Sequence, residues 1–157
     1  MKKYMERFLI AVALSFASSA AFAQVQVKDA WVRATVPQQT ATGAFMQLTS
    51  PTYARLVSAS SPVAGVVELH EMTMDKDVMK MRAVPGIDIP AGKGAQLKPG
   101  GYHVMMMNLK AQMKEGDVVP ITLVIEGADG KRQTLEVKAL VRPLKASGGD
   151  MGGMHMH

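Results

Sequence analysis

From Gln24 to about Leu144 the chain is cut into short segments rich in Val, Ile, Leu, Met and Thr, separated by Gly, Pro and Asp at intervals suited to strands. No stretch carries a compelling helical period. The pattern predicts strands over 25–33, 43–49, 56–60, 66–74, 78–84, 96–98, 103–109, 118–125 and 134–141. The clearest hairpin lies over 126–132, where Asp129-Gly130 is expected to supply the positive backbone angles of a tight turn. A second turn is expected at Pro99-Gly100-Gly101. Pro85-Gly86 and Pro90-Ala91-Gly92 punctuate a connecting segment suited to a loop or an edge strand, where a missing N–H is tolerable. About nine short strands in one stretch imply an all-β domain over 24–144, a two-sheet sandwich or barrel.

The two ends differ from this pattern. Lys2, Lys3 and Arg7 precede an apolar run from Phe8 to Phe16 and a small-residue segment ending Ala21-Phe22-Ala23, so residues 1–23 are expected to be a cleaved signal peptide. The run is shorter than the roughly 20 residues a membrane-spanning helix needs, and no second such run follows, so no stable membrane insertion is expected. Export in a short chain of this kind suits a bacterial periplasm. Residues 145–157, Gly-rich and poor in branched apolar side chains, are expected to form a flexible Met/His-rich tail. Removing Lys2, Lys3, Arg7 and Glu6 takes the formal charge from +5 to +3. The remaining Lys and Arg are scattered singly, which gives nucleic-acid binding little support.

The chain has no Cys. That excludes disulfides, a lipoprotein anchor, a thiolate nucleophile, a structural Cys zinc site and a blue-copper centre. Metal chemistry must then use His, Met, Asp or Glu. Of the 14 Met, 12 lie beyond residue 23, and apart from Met46 and Met113 they fall in three groups: 72–81, 105–107 and the tail. His70, His103, His155 and His157 lie with those same groups. Thioether sulfur is a soft, uncharged donor and imidazole a borderline one, so a mixed site favours Cu(I) over Zn, Mg or Ca. Period-two geometry places His103 with Met105 and Met107, His70 with Met72 and Met74, and Met79 with Met81, each set on one face of its strand.

At these residues the sequence resembles the periplasmic copper chaperones of the PCu(A)C type. Their signature is a His, ten residues, a Met, twenty-one residues, then His-x-Met. Here His70 is followed by residues 71–80, Met81, residues 82–102 and His103-Val104-Met105. The flanking words His70-Glu71-Met72-Thr73, Met81-Arg82, Pro99-Gly100-Gly101-Tyr102-His103 and the opening Asp29-Ala30-Trp31-Val32-Arg33 are also similar to the family. The resemblance implies a cupredoxin-like Greek-key β-sandwich in which His70, Met81, His103 and Met105 hold one Cu(I). It implies a periplasmic carrier of copper toward cytochrome c oxidase assembly, with copper-acceptor proteins of that route as partners, mostly as a monomer. His/Met-rich extensions in the family go with a second site that prefers Cu(II), which Met151, Met154, His155, Met156 and His157 would serve. Met72, Met79 and Met107 are auxiliary candidates, able to replace a matched ligand or to form a landing surface.

Other readings compete at particular residues. Met46, Met106 and Met113 are expected in the core, as gap-filling methionines, and Trp31 in core or edge packing. Glu71, Asp75 and Asp77 are expected as solvated charges. His70 beside Glu71 makes no catalytic pair, because adjacent strand residues point to opposite faces, and the Ser residues at 58–61 lack an elbow motif; no enzyme is expected. Two functional alternatives remain: a copper-buffering or resistance protein without a specific acceptor, and an Ig-like adhesion or peptide-binding module with a Met-rich core, which would bind no stoichiometric metal. Protons compete for imidazole, so copper retention is expected to weaken below the free histidine pKa of about 6.5.

Overall fold

The computed structural model describes residues 25–143. Those residues form ten strands: β1 (Gln26–Arg33), β2 (Ala41–Thr49), β3 (Ala54–Ser60), β4 (Ala64–Asp75), β5 (Val78–Ala83), β6 (Ile87–Ile89), β7 (Ala95–Leu97), β8 (Tyr102–Leu109), β9 (Val118–Gly127) and β10 (Arg132–Arg142). There is no helix among the described residues. The leader at 1–23 and the tail at 145–157, with its five candidate ligands, lie outside them.

Alternation in sequence becomes alternation in burial. In β9, Val119, Ile121, Leu123 and Ile125 are buried while Val118 and Pro120 are exposed. β10 faces it with Ile121 opposite Val137 and Val119 opposite Ala139, so both strands send their apolar set the same way. The turn between them differs from expectation in one respect. Only Gly130 adopts a positive φ, 77°. Asp129 contributes through its side chain instead, its carboxylate accepting from the Lys131 N–H at 2.9 Å, an Asx-type closure.

Hydrogen bonding runs in one path, β5-β4-β8-β2-β1-β10-β9-β3-β6, with β7 pairing a second stretch of β2. Every ladder is antiparallel except β1 with β10. β1 is interrupted by a bulge between Lys28 and Trp31, where Asp29 has φ 52°. The two arms of the path close over each other: β3 packs on β4 with no ladder between them. Between the arms lies a single apolar cluster that takes Leu69, Val104 and Met106 from one side and Leu56, Ile121, Leu123 and Ile125 from the other. Full burial of each such side chain contributes about 1.5–3 kcal/mol. Met46, Met106 and Met113 belong to this cluster, as expected.

Of the two expectations for the segment between Pro85 and Pro90, the edge strand is the one formed. Ile87 and Ile89 are buried and pair β6 with β3, while Asp88 faces out to accept from the Tyr53 hydroxyl at 2.7 Å. The prolines bound this edge strand, where no outer partner asks for their missing N–H. The expected all-β, single-domain sandwich is the fold formed.

Candidate metal centre

β2 sets the site's geometry by dividing its edge. Residues Ala41 to Ala44 pair with β8, and Met46 to Leu48 pair with β7. β7 and β8 are joined through Lys98-Pro99-Gly100-Gly101, with Pro99 at the second position and Gly100 at φ 86° in the third. The Gly101 N–H donates to the Lys98 carbonyl at 3.0 Å, the pattern of a type II turn. His103 follows two residues later, and its Nδ1 lies 3.1 Å from the Gly101 carbonyl. That carbonyl also accepts from the Met72 N–H at 3.1 Å, tying β4 to the same turn.

The registers bring the three ligand segments together. β4 and β8 place His70 opposite His103 and Glu68 opposite Met105. β4 and β5 place Met72 opposite Met81 and Met74 opposite Met79. Facing residues share a sheet face, so both imidazoles and the thioethers of Met72, Met81 and Met105 stand on one surface, while Leu69, Val104 and Met106 point into the core. The imidazole rings are 5.7 Å apart, edge to face.

A cleft of about 280 Å³ opens on this surface, walled by Met72, Met81, His103 and Met105 together with Arg33, Gln39, Gly43, Phe45, Pro99 and Gly100. Gly43 lies opposite Met105, and a Cβ there would come within 2.9 Å of the Phe45 ring. Phe45 lines the cleft, its ring centre 6.1 Å from that of His103 and 4.6 Å from that of Trp31, tilted 35° to the latter. Arg33 sits over Phe45 at 5.6 Å, and Arg142 over Trp31 at 5.5 Å.

Each imidazole has one nitrogen engaged and one buried without a partner. His103 is 4% exposed. Its Nδ1–H donates to Gly101, leaving Nε2 as an acceptor with nothing to accept. His70 Nε2 is held by the Glu68 carboxylate at 2.7 Å, leaving Nδ1 buried and unpaired. A buried polar atom without a partner costs about 1–3 kcal/mol, so one on each of two neighbouring rings suits a ligand that both could reach. Burial pushes the His103 pKa below the ordinary histidine value, and the positive potentials of His70 and Arg33 add to this against the opposing Gly101 bond. The ring is therefore neutral and its lone pair available near pH 7.

The donors are two imidazoles and uncharged thioethers. Among the described residues no three His, Cys, Asp or Glu side chains group as a harder metal would need. This set fits a soft monovalent cation. Met81, His103 and Met105 wall the cleft, and His70, opposite His103, is on the same sheet face but not among the lining residues. Of the auxiliary candidates, Met72 lines the cleft. Met79 stands one rung outward, and Met107 lies further along β8, opposite Val66. Glu71 forms an ion pair with Arg82 at 2.9 Å on the other face.

Sequence reading missed Glu68, Gly101 and Arg33. Glu68 had a usable signal, its position two residues before His70 on the same strand face. Arg33 stands in the family-like opening word, but its place at the cleft depends on the pairing of β1 with β2.

The sequence model of the LpqE-like family matches residues 25–139. The protein named "Putative lipoprotein Lxx21020" from Leifsonia xyli subsp. xyli is 38% identical over 100 residues, 63% of this chain and 60% of that protein, so the chain spans less than two thirds of this relative. The solution structure of CuI-DR1885 from Deinococcus radiodurans is 36% identical, with TM-score 0.59, covering 83% of this chain and 87% of that one. The apo PCuAC domain from PmoF1 aligns with TM-score 0.62 at 19% identity, over 76% of this chain and 93% of that domain. The copper-bound PCuAC domain from PmoF2 aligns with TM-score 0.59 at 20% identity, over 76% and 92%. At these lower identities the PmoF domains establish the fold alone.

Proposed function

The chain belongs to the LpqE-like family and has the fold of PCuAC domains, and from that premise we propose that it is an exported copper metallochaperone that carries Cu(I) on His70, Met81, His103 and Met105. The observation that carries the reading is the facing imidazole pair, each ring with one nitrogen fixed and the other buried and unpaired, beside a thioether-lined cleft. The 36% identical DR1885, whose structure was determined with Cu(I), supports the choice of metal.

Cu(I) is the cargo. His103 offers Nε2, because the Gly101 carbonyl fixes the proton on Nδ1. His70 offers Nδ1, because Glu68 holds Nε2. Such partners behind a ligating imidazole fix its tautomer and its direction. Met81 and Met105 approach from β5 and β8, and Met72, opposite Met81, stands ready when either leaves. All four donors are neutral, so the ion keeps its charge and is held with modest strength. An acceptor supplying thiolates replaces the thioethers one at a time, with no change of oxidation state and no proton needed by sulfur. The role is binding and handover without turnover. Its destination is the periplasm, and its acceptor is the copper site of a respiratory oxidase or a protein serving its assembly.

The test is anaerobic Cu(I) titration against a competing chelator, using the wild-type chain, a variant with His70→Ala, Met81→Leu, His103→Ala and Met105→Leu together, and a truncation after Lys145. Loss of tight Cu(I) in the quadruple variant, with retention in the truncated chain, is expected. A quadruple variant that binds as tightly as the wild type overturns the reading.

A further inference from the structure

The β4–β5 hairpin carries more thioether than the cleft uses. Met72 and Met81 form the rung that lines the cleft, and the next rung outward is Met74 opposite Met79, on the same face. These two side chains are 64% and 45% exposed. The rung has a fixed register: Lys76 and Asp77, the two residues of the turn, have φ of 48° and 63°, the signature of the type I′ turn that pins a hairpin. The opposite face holds the charges, with Lys80 paired to Asp75 at 2.8 Å and Arg82 to Glu71 at 2.9 Å. One face of the hairpin is thus closed by ion pairs, and the other presents four uncharged sulfurs in two successive rungs.

Two exposed methionines contribute nothing to the core. What they offer is soft donation. Facing side chains on a rung have Cβ atoms about 4.5–5.5 Å apart, and same-face residues along a strand are about 6.8 Å apart. Flexible methionine side chains span both gaps, so a cation held between Met74 and Met79 is within one exchange of Met72 and Met81.

We propose that the Met74–Met79 rung is a second, weaker Cu(I) site through which cargo enters and leaves the imidazole centre. The proposal rests on the Cu(I) reading above. In each step a bond forms from copper to the sulfur of Met72 or Met81 as one from Met74 or Met79 breaks. Copper stays Cu(I), and no proton moves.

The experiment uses the full chain, labelled with ¹³C at the methionine methyls and titrated anaerobically with Cu(I), alongside Met74→Leu/Met79→Leu. In the wild type the methyls of Met72, Met81 and Met105 are expected to shift with the first equivalent, and those of Met74 and Met79 only with excess metal. The double variant should keep the wild-type equilibrium affinity while its stopped-flow uptake from a Cu(I)–bicinchoninate complex slows about tenfold. Met74 and Met79 methyls that never move, or uptake as fast as the wild type, overturn the proposal and leave the central site standing. Leucine keeps the apolar surface, so a variant slowed only by Met74→Gln/Met79→Gln also overturns it, in favour of an apolar docking patch. Wild-type protein that takes up no Cu(I) overturns the underlying reading itself.

Discussion

Among the described residues Arg33 is the one full positive charge in the cleft wall; burial is the main cause of the lowered His103 pKa, and the smaller contribution of the Arg33 charge also opposes a bound cation. Arg33→Gln should therefore raise both the His103 pKa, read by NMR titration of the apo protein, and the Cu(I) affinity, read by chelator competition. If neither moves, the charge is screened. The sign of the pH effect on stability follows from His103 as well. Its folded pKa lies below the unfolded value near 6.5, so between the two values the unfolded chain binds a proton that the folded chain does not. Stability is full above the unfolded value and falls as pH drops through that window toward the folded value. Thermal melts of the apo protein at pH 7 and pH 5 should differ more for wild type than for His103→Gln. If His103 ligates copper, proton competition there should likewise set in lower than the free-histidine value expected from sequence. At this scale the grouping of His70, Met81, His103 and Met105 was legible in the chain, and the polar partners behind the imidazoles were not. Gly101 acts through a backbone carbonyl, which no side-chain pattern reports.

Within β8, neighbouring residues separate function from stability. Met105 stands on the cleft face, and Met106, 0% exposed, points into the core. Met106→Ala should cost about 2–5 kcal/mol of stability with Cu(I) affinity per folded molecule unchanged. Met105→Leu should cost less than about 1.5 kcal/mol and weaken Cu(I) binding. Denaturant unfolding and chelator competition on both variants check this, and a reversed pattern would mean that the strand's faces are misassigned. The β7–β8 turn supplies a second test. A side chain at Gly100 meets nothing, but its φ of 86° disfavours any. Gly100→Val should lose about 1–2 kcal/mol and lower metal affinity by displacing the carbonyl that orients His103. Strand faces could be read from sequence because a period of two survives even when strand ends are misjudged by two residues, as at β2 and β4. Pro85 and Pro90 dominate the local signal at β6 and leave loop and edge strand equally open. Only the pairing with β3 reveals that Ile87 and Ile89 are core residues.

In the molecule as a whole, the candidate metal site and the core lie on opposite faces of one arm of the sheet. With no Cys in the chain, stability rests on the apolar cluster between the arms, and the cleft face is free to carry soft donors in place of packing. The edge strands close the sheet differently, β6 with prolines at its ends and β5 with the outward charges of Lys80 and Arg82. The all-β class was legible because turn residues recur at strand spacing throughout. The folding of one continuous path onto itself was not, because it depends on long-range pairs such as β1 with β10, which no local pattern encodes. The central claim is that two imidazoles and thioethers hold Cu(I) together. X-ray absorption of the Cu(I)-loaded chain truncated after Lys145 tests it most directly. A mixed shell of two nitrogens with sulfurs is predicted, falling to one nitrogen in His70→Ala and again in His103→Ala. An all-sulfur shell, or a nitrogen count that neither substitution changes, would contradict it.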